Sequence, residues 1–196
     1  MTGLQDVLTK GGLVFCLIIA CSFIAVTVAV QRWWFLRWAE KADTAFAARI
    51  RQTGGATAPP YGDSPLSRLW AGLRGGNTGA AAESALLDES LRLERYLYVL
   101  ATIATIAPLL GLLGTVFGMI KTFHAAAASG VGNPQMLAEG IAEALYNTAA
   151  GLTVTVFCII SHNFLRNWAD RLTQSLEARL GELQALATAR GDNCAD

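Results

Sequence analysis

Charge is what this sequence is short of. Asp, Glu, Lys and Arg make up 15% of it, and the 15 basic and 15 acidic residues cancel; an ordinary soluble domain carries about a quarter. No basic patch with interleaved aromatics is present, which excludes the usual nucleic-acid surface. Two histidines and four cysteines form no Cys-x-x-Cys and no His-rich cluster, and there is neither a phosphate loop nor a nucleophile elbow. These absences exclude the common zinc, thiol-redox, nucleotide and hydrolase sites, so nothing here reads as an enzyme and no cofactor or metal is implied. Cys16, Cys21 and Cys158 lie in apolar runs, where a thiol acts as a small hydrophobe, and Cys194 lies in the tail. His124 and His162 stand alone at the borders of such runs, positions where an interfacial histidine is commoner than a ligand.

The places where charge is missing are more telling than the total. No Asp, Glu, Lys or Arg occurs in 11–31, 96–120 or 144–165. Each run matches or exceeds the ~20 residues a helix needs to cross a bilayer, and backbone groups in lipid must be satisfied internally. An all-α membrane protein with three spans follows. The first run is read as a retained anchor rather than a signal peptide, because Arg32-Trp33-Trp34-Phe35-Leu36-Arg37-Trp38 follows it as an interfacial belt.

Orientation follows from Lys and Arg. Nine of them fall in 32–95 and four in 163–196, against Lys10 and Lys121 alone elsewhere. The positive-inside rule therefore predicts an outer (periplasmic) N-terminus at 1–10, a first span over 11–31 and a cytoplasmic segment over 32–95. It goes on to predict a second span over 96–121, a periplasmic loop over 122–138, a third span over 139–162 and a cytoplasmic tail over 163–196. Within the cytoplasmic segment, 39–52 suits a helix and 53–65 and 72–79 are Gly/Pro-rich punctuation. From Ala80 no breaker precedes the second span, which predicts one continuous helix. In the tail, Leu165, Trp168, Leu172, Leu176, Leu180, Leu183 and Ala187 repeat at three and four residues. That apolar stripe needs a surface to cover it, either the 80–95 helix or a neighbouring subunit.

The second run contains APLLGLLGTVFGMIKTF (107–123), with Pro108, three glycines and Thr115 in the middle of a span. Ala104, Ala107, Gly111, Gly114 and Gly118 recur at 3, 4, 3 and 4, forming one stripe of small residues that lets helix backbones approach closely in lipid. The third run answers with Ala144, Thr148, Gly151 and Thr155. Such stripes suit a tight assembly, or equally a plain helix–helix seam.

RLERYLYVLATIATIAPLLGLLGTVFGMIKTF, followed after a short connection by GIAEALYNTAAGL, resembles the MotA/TolQ/ExbB proton-channel family on its ExbB/TolQ branch. The resemblance implies a multi-pass subunit of a bacterial inner-membrane motor. It implies a homopentamer around single-span partners of ExbD/TolR type bearing a membrane Asp, with proton flow delivering work to a TonB- or TolA-type protein. By motif, the family's pore-lining threonines fall on Thr115 and Thr148, and its acidic residue at the start of the third span falls on Glu143. Gln31 stands where the family often has Glu.

The residues support the same mechanism independently. A proton relay needs ionisable groups at depth, and the outer end of the third span offers Glu143 and Glu139. Thr115 lies six residues before Lys121 and Thr148 five past Glu143, so the two hydroxyls sit about 9 and 7.5 Å inside those charges. Threonine holds no proton at neutral pH, so the titrating group must come from another chain. Glu143 is read either as the proton entrance or as half of an ion pair with Lys121. Two other classes stay open: a self-contained small channel and a purely structural scaffold. Within the stator reading, TonB-linked uptake and Tol-type envelope maintenance both fit, with a lean to the former.

Overall fold

The computed structural model describes residues 12–53, 64–74, 80–129 and 134–192, and the side chains of 50–53, 70–74, 80–82, 128–129, 180 and 182–192 are not described. The expected outer N-terminus, most of both Gly/Pro-rich stretches and Cys194 lie outside these residues, as do the side chains of Leu180, Leu183 and Ala187. All five elements are helical: α1 (Gly12–Thr53), α2 (Pro65–Arg74), α3 (Ala80–Glu94), α4 (Leu97–Ser129) and α5 (Pro134–Asp192). Stretches within Leu13–Arg49, Glu83–Ala127 and Pro134–Arg179 are long and apolar enough to cross a membrane.

Two expectations change. The helix predicted to run unbroken from Ala80 stops at Glu94, and a turn at 95–96 separates α3 from α4. Neither residue is Gly or Pro; Tyr96 takes a left-handed φ of 69°, a conformation that costs a side-chain-bearing residue roughly 1–2 kcal/mol. The break is held by a third party. Arg32 donates from Nη2 to the carbonyl of Arg92 (3.1 Å) and to that of Arg95, satisfying carbonyls that the end of α3 leaves without helical partners. The second change concerns 122–138, expected as a loop. It is largely helical, since α4 continues to Ser129 and α5 begins at Pro134, a position where proline's missing amide costs nothing.

The chain divides into two compact units, Met1–Val30 with Tyr96–Asn163, and Gln31–Arg95 with Phe164–Asp196. The first holds the three charge-free runs except for Gln31 and residues 164–165. Its core is small: Ala25 of α1, Ile103 and Ala107 of α4 and Cys158 of α5, with Cys21, Val99, Ala104 and Val154 packed on it. Ile18, Leu97 and Leu100 are buried as well, but many large apolar side chains point outward, among them Phe23, Leu109, Leu145 and Ile160, the pattern of a bundle whose solvent is lipid.

The second unit packs as a soluble bundle does. Leu36, Ala39 and Phe46 of α1, Leu66 and Leu69 of α2, Leu93 of α3, and Leu165, Ala169, Leu172 and Leu176 of α5 are buried. Of the stripe expected in the tail, Leu165, Leu172 and Leu176 are thus covered inside their own chain, and the polar contacts of this part of α5 fall on α1. Trp168 donates from Nε1 to Glu40 (3.2 Å), and Arg179 donates to the carbonyl of Asp43 (3.2 Å). Helix α2 starts on Ser64, whose hydroxyl accepts from the Ser67 amide (3.2 Å), while Asp43 Oδ1 accepts from the Leu66 amide (3.0 Å). With Pro65 lacking an amide, the first three α2 positions are accounted for. Arg68 grips Glu89 of α3 with Nε–Oε2 at 2.9 Å and Nη2–Oε1 at 2.5 Å.

Candidate functional site at the α4–α5 seam

The two small-residue stripes meet within one chain. A Cβ added at Gly111 would lie 3.1 Å from Thr148 Cα, at Gly114 2.6 Å from Asn147 Cβ, and at Gly118 2.9 Å from Ala144 Cβ. From the other side, one added at Gly151 would lie 2.6 Å from the Ala107 carbonyl oxygen. Backbones this close leave room for hydrogen at these positions and little else. Pro108, half-buried beside that contact, removes the amide that would otherwise bond the Ala104 carbonyl. Of the predicted seam residues, Gly111, Gly114, Gly118 and Gly151 come together, and Pro108 borders them.

The hydroxyls are differently employed. Thr148 donates across the seam to the Gly111 carbonyl (3.1 Å), and Thr115 donates within α4 to the Leu112 carbonyl (2.6 Å). Both are half-buried. Each proton is committed to a carbonyl, so what each oxygen still offers is acceptor lone pairs. A bond these threonines could take up is therefore one donated to them, as by a water or a protonated carboxyl. Donating to a carboxylate, the role open to a free hydroxyl, would require giving up the carbonyl.

Glu143 Oε1 lies 3.8 Å from Lys121 Nζ, with the two side chains 24% and 74% exposed. The ion pair, one of the two readings of Glu143, forms at the long limit of such a contact and with a largely solvated lysine, a geometry worth little energetically.

Three seam residues were not singled out by sequence reasoning. Asn147 is 4% exposed, and its Oδ1 has no hydrogen-bond partner among the described residues. Its position between Ala144 and Gly151, at spacings of 3 and 4, was the available signal. Thr122 is buried and donates to the Gly118 carbonyl (2.8 Å), closing the Lys121 end of the seam against Gly140. His162, treated above as interfacial, sets Nδ1 3.0 Å from the Leu97 carbonyl at the other end.

In the second unit, burial raises the Asp43 carboxyl from 3.8 to about 6, and nearby Glu89 adds to the rise; the Leu66 amide, the Arg179 guanidinium and Ser64 pull the other way. Asp43 lies beyond the charge-free run of α1. It borders a cavity of about 230 Å³ lined also by Glu40, Trp168, Arg171, Ser175 and Arg179. Among the described residues, no group of three or more His, Cys, Asp or Glu is placed to hold a metal ion.

Residues 64–178, which include both seam stripes, match the family model described as the MotA/TolQ/ExbB proton channel family. A biopolymer transport protein, exbB1, of Vibrio cholerae is 46% identical over 85 residues, covering 43% of this chain and 37% of that protein. A putative biopolymer transport protein, ExbB-like 1, of Synechocystis sp. is 34% identical over 177 residues, covering 80% and 68%. The Tol-Pal system protein TolQ of Haemophilus influenzae is 39% identical over 88 residues, covering 45% and 39%. The chain thus spans less than half the length of the first and third of these relatives.

Proposed function

Because the chain belongs to the MotA/TolQ/ExbB proton channel family, we propose that it is an ExbB-like stator subunit of a motor driven by the proton-motive force. On this reading it sits in a bacterial inner membrane with the N-terminus periplasmic and the C-terminus cytoplasmic, as the Lys/Arg balance supports. Five copies surround an ExbD/TolR-type partner whose intramembrane Asp carries the proton, and the work is passed to a TonB- or TolA-type protein. The observation that carries the reading is the seam itself. Two close-packed helices present Thr115 and Thr148 with their protons bonded to carbonyls, which leaves two oxygen acceptors in a run without a fixed charge.

Such acceptors suit a carboxyl that alternates between charged and neutral. They favour the protonated acid and the waters that deliver its proton, while the absence of a local cation leaves the charged form unstabilised. The seam closes within each chain, so the ring is built from other surfaces, and the outward Leu, Ile and Phe side chains of the first unit supply ample apolar area for this. The TolQ relative keeps envelope maintenance as the alternative use of the same motor, and the identity of the neighbouring genes separates the two.

Thr115→Val and Thr148→Val test the reading, since valine keeps the shape and deletes the hydroxyl. Loss of the Thr148 bond costs about 0.6 kcal/mol in a membrane, so both variants are expected to assemble with the partner normally. Partner-dependent uptake or envelope integrity is expected to fall at least about tenfold, in keeping with the loss of a proton-transfer contact. Thr153→Val is the control: Thr153 bonds its own helix at Ala149 and is exposed. Full activity in both valine variants would reduce these hydroxyls to packing groups and sink the assignment.

A further inference from the structure

The third span carries a line that runs from the small-residue stripe to a residue the stripe does not include. Thr148, Thr155 and His162 are spaced by seven residues, which turns each only about 20° from the last, so they fall along one face of α5 about 10 Å apart. All three are half-buried, and all three bond a carbonyl: Thr148 that of Gly111, Thr155 that of Gly151 (2.8 Å), His162 that of Leu97. A carbonyl only accepts, so the bond at 3.0 Å requires the proton of His162 to be on Nδ1. Nε2 of the neutral ring is then a bare acceptor. The line is thus three lone-pair acceptors in a row, of which the imidazole nitrogen alone is a group that can take up and pass on a proton.

The run that holds the line offers few competitors, although Arg166 follows four residues beyond His162 and Tyr96 and Tyr98 flank Leu97 on the facing turn. No Asp, Glu, Lys or Arg occurs in 144–165. The other ionisable side chains there are Tyr146, exposed, and Cys158, which is buried in the core with Ala25 and Ile103. A histidine at the border of a span ordinarily turns to the interface; this one is turned against the first turn of α4 and fixed by a backbone group. An ionisable residue held inside a bundle in this way is a functional group by default.

We propose that His162 is the proton-releasing group at the cytoplasmic end of the path, receiving at Nε2 the proton that waters bring past Thr148 and Thr155. This rests on the stator reading and extends it to the exit. In the step, a water-borne proton binds the Nε2 lone pair to give imidazolium, with Nδ1–H still donating to Leu97. The same Nε2–H bond then breaks, the proton passes to cytoplasmic water, and the neutral ring is restored with no change in electron count.

The test uses the native complex reconstituted into phosphatidylethanolamine–phosphatidylglycerol vesicles with a pH-reporting dye inside. His162→Asn places an amide N–H where Nδ1–H was, keeping the bond to Leu97 without a group that titrates. It is expected to assemble as the wild type does and to lose about two orders of magnitude in proton flux. His162→Ala is expected to lose as much and to regain part of the flux when imidazole is added to the bath. Wild-type flux in the Asn variant would show that the bond alone matters and overturn the proposal, leaving the stator reading in place. Should the Asn variant fail to assemble, an Ala variant that assembles but gains nothing from imidazole overturns it equally. A wild-type complex that passes no protons at all removes the stator reading itself.

Discussion

The two units of this chain solve one packing problem with opposite materials. In the first, Ala25, Ala107, Ala144 and Cys158 are buried beside Ile18, Leu97, Leu100 and Ile103, α4 and α5 touch through glycine, and most of the large apolar side chains face out. In the second, Leu36, Leu66, Leu69, Leu93 and Leu176 are fully buried, and charged groups tie the helices together. The difference lies in the solvent each has to leave. Transfer of leucine from lipid to a helix seam gains almost nothing, so the first unit depends on close backbone contact and on bonds to carbonyls. Transfer of leucine from water gains roughly 1.5–3 kcal/mol per side chain, so the second unit can hold an Asp inside and remain folded.

That contrast can be broken most severely at Gly151. Gly151→Leu drives a side chain into the Ala107 carbonyl and the Gly111 backbone, neither of which can swing aside. The penalty is expected to reach or exceed the ~1–3 kcal/mol of an overpacked core, and little monodisperse protein is expected on size exclusion in detergent. The damage is expected to fall on the chain's own fold, since the groups met belong to the same chain.

Asp43→Asn addresses the second unit. The folded carboxyl titrates near 6 instead of 3.8, so the folded state holds the proton more tightly than the unfolded chain does. The resulting stability is fully present below about pH 4 and lost as pH rises through about 6, up to about 3 kcal/mol in all. Asparagine keeps an oxygen for the Leu66 amide and cannot ionise. Thermal melts followed by circular dichroism are therefore expected to decline from pH 5 to 7.5 in the wild type and to stay level in the variant. Parallel slopes would mean that Asp43 is not the group responsible.

The same contrast is sharpened at Gly181, a helical glycine of the second unit with nothing within 4 Å of an added Cβ. Gly181→Ala is expected to raise stability by about 1 kcal/mol through helix propensity alone, where the equivalent change at Gly114 meets Asn147. The smallest effect is expected at Lys121→Gln, whose 3.8 Å pair with Glu143 is worth no more than about 0.5 kcal/mol. A larger loss there would make the pair structural and weaken the case for Glu143 as a proton entrance.

What was legible in the sequence follows from how local each signal is. The spans announce themselves through missing charge, and the seam through small residues at 3 and 4, so Gly111, Gly114, Gly118, Gly151 and Thr148 were all identifiable. Asn147 sat in the same register and was passed over because it is neither small nor charged. The break at Arg95–Tyr96 had no local mark, since it depends on Arg32, more than sixty residues earlier, reaching the end of α3. Asp43 was equally silent: its burial needs residues 64–66 and Arg179 brought to it by the fold. The bond of His162 to Leu97 is of the same kind, although its heptad spacing from Thr148 was in plain view.

The segregation of aromatic side chains has an optical consequence. All five tryptophans, at positions 33, 34, 38, 70 and 168, belong to the second unit, and the first contains only tyrosine and phenylalanine. Excited selectively at long ultraviolet wavelengths, the protein emits from one unit and is dark in the other. A tryptophan-quenching or emission-shift curve therefore reports on the leucine-packed bundle alone, with Trp168 and its bond to Glu40 as one internal reporter. A single tryptophan introduced at exposed Phe117 or Phe157 would add a signal from the membrane helices, and brominated lipids would dim that signal according to its depth.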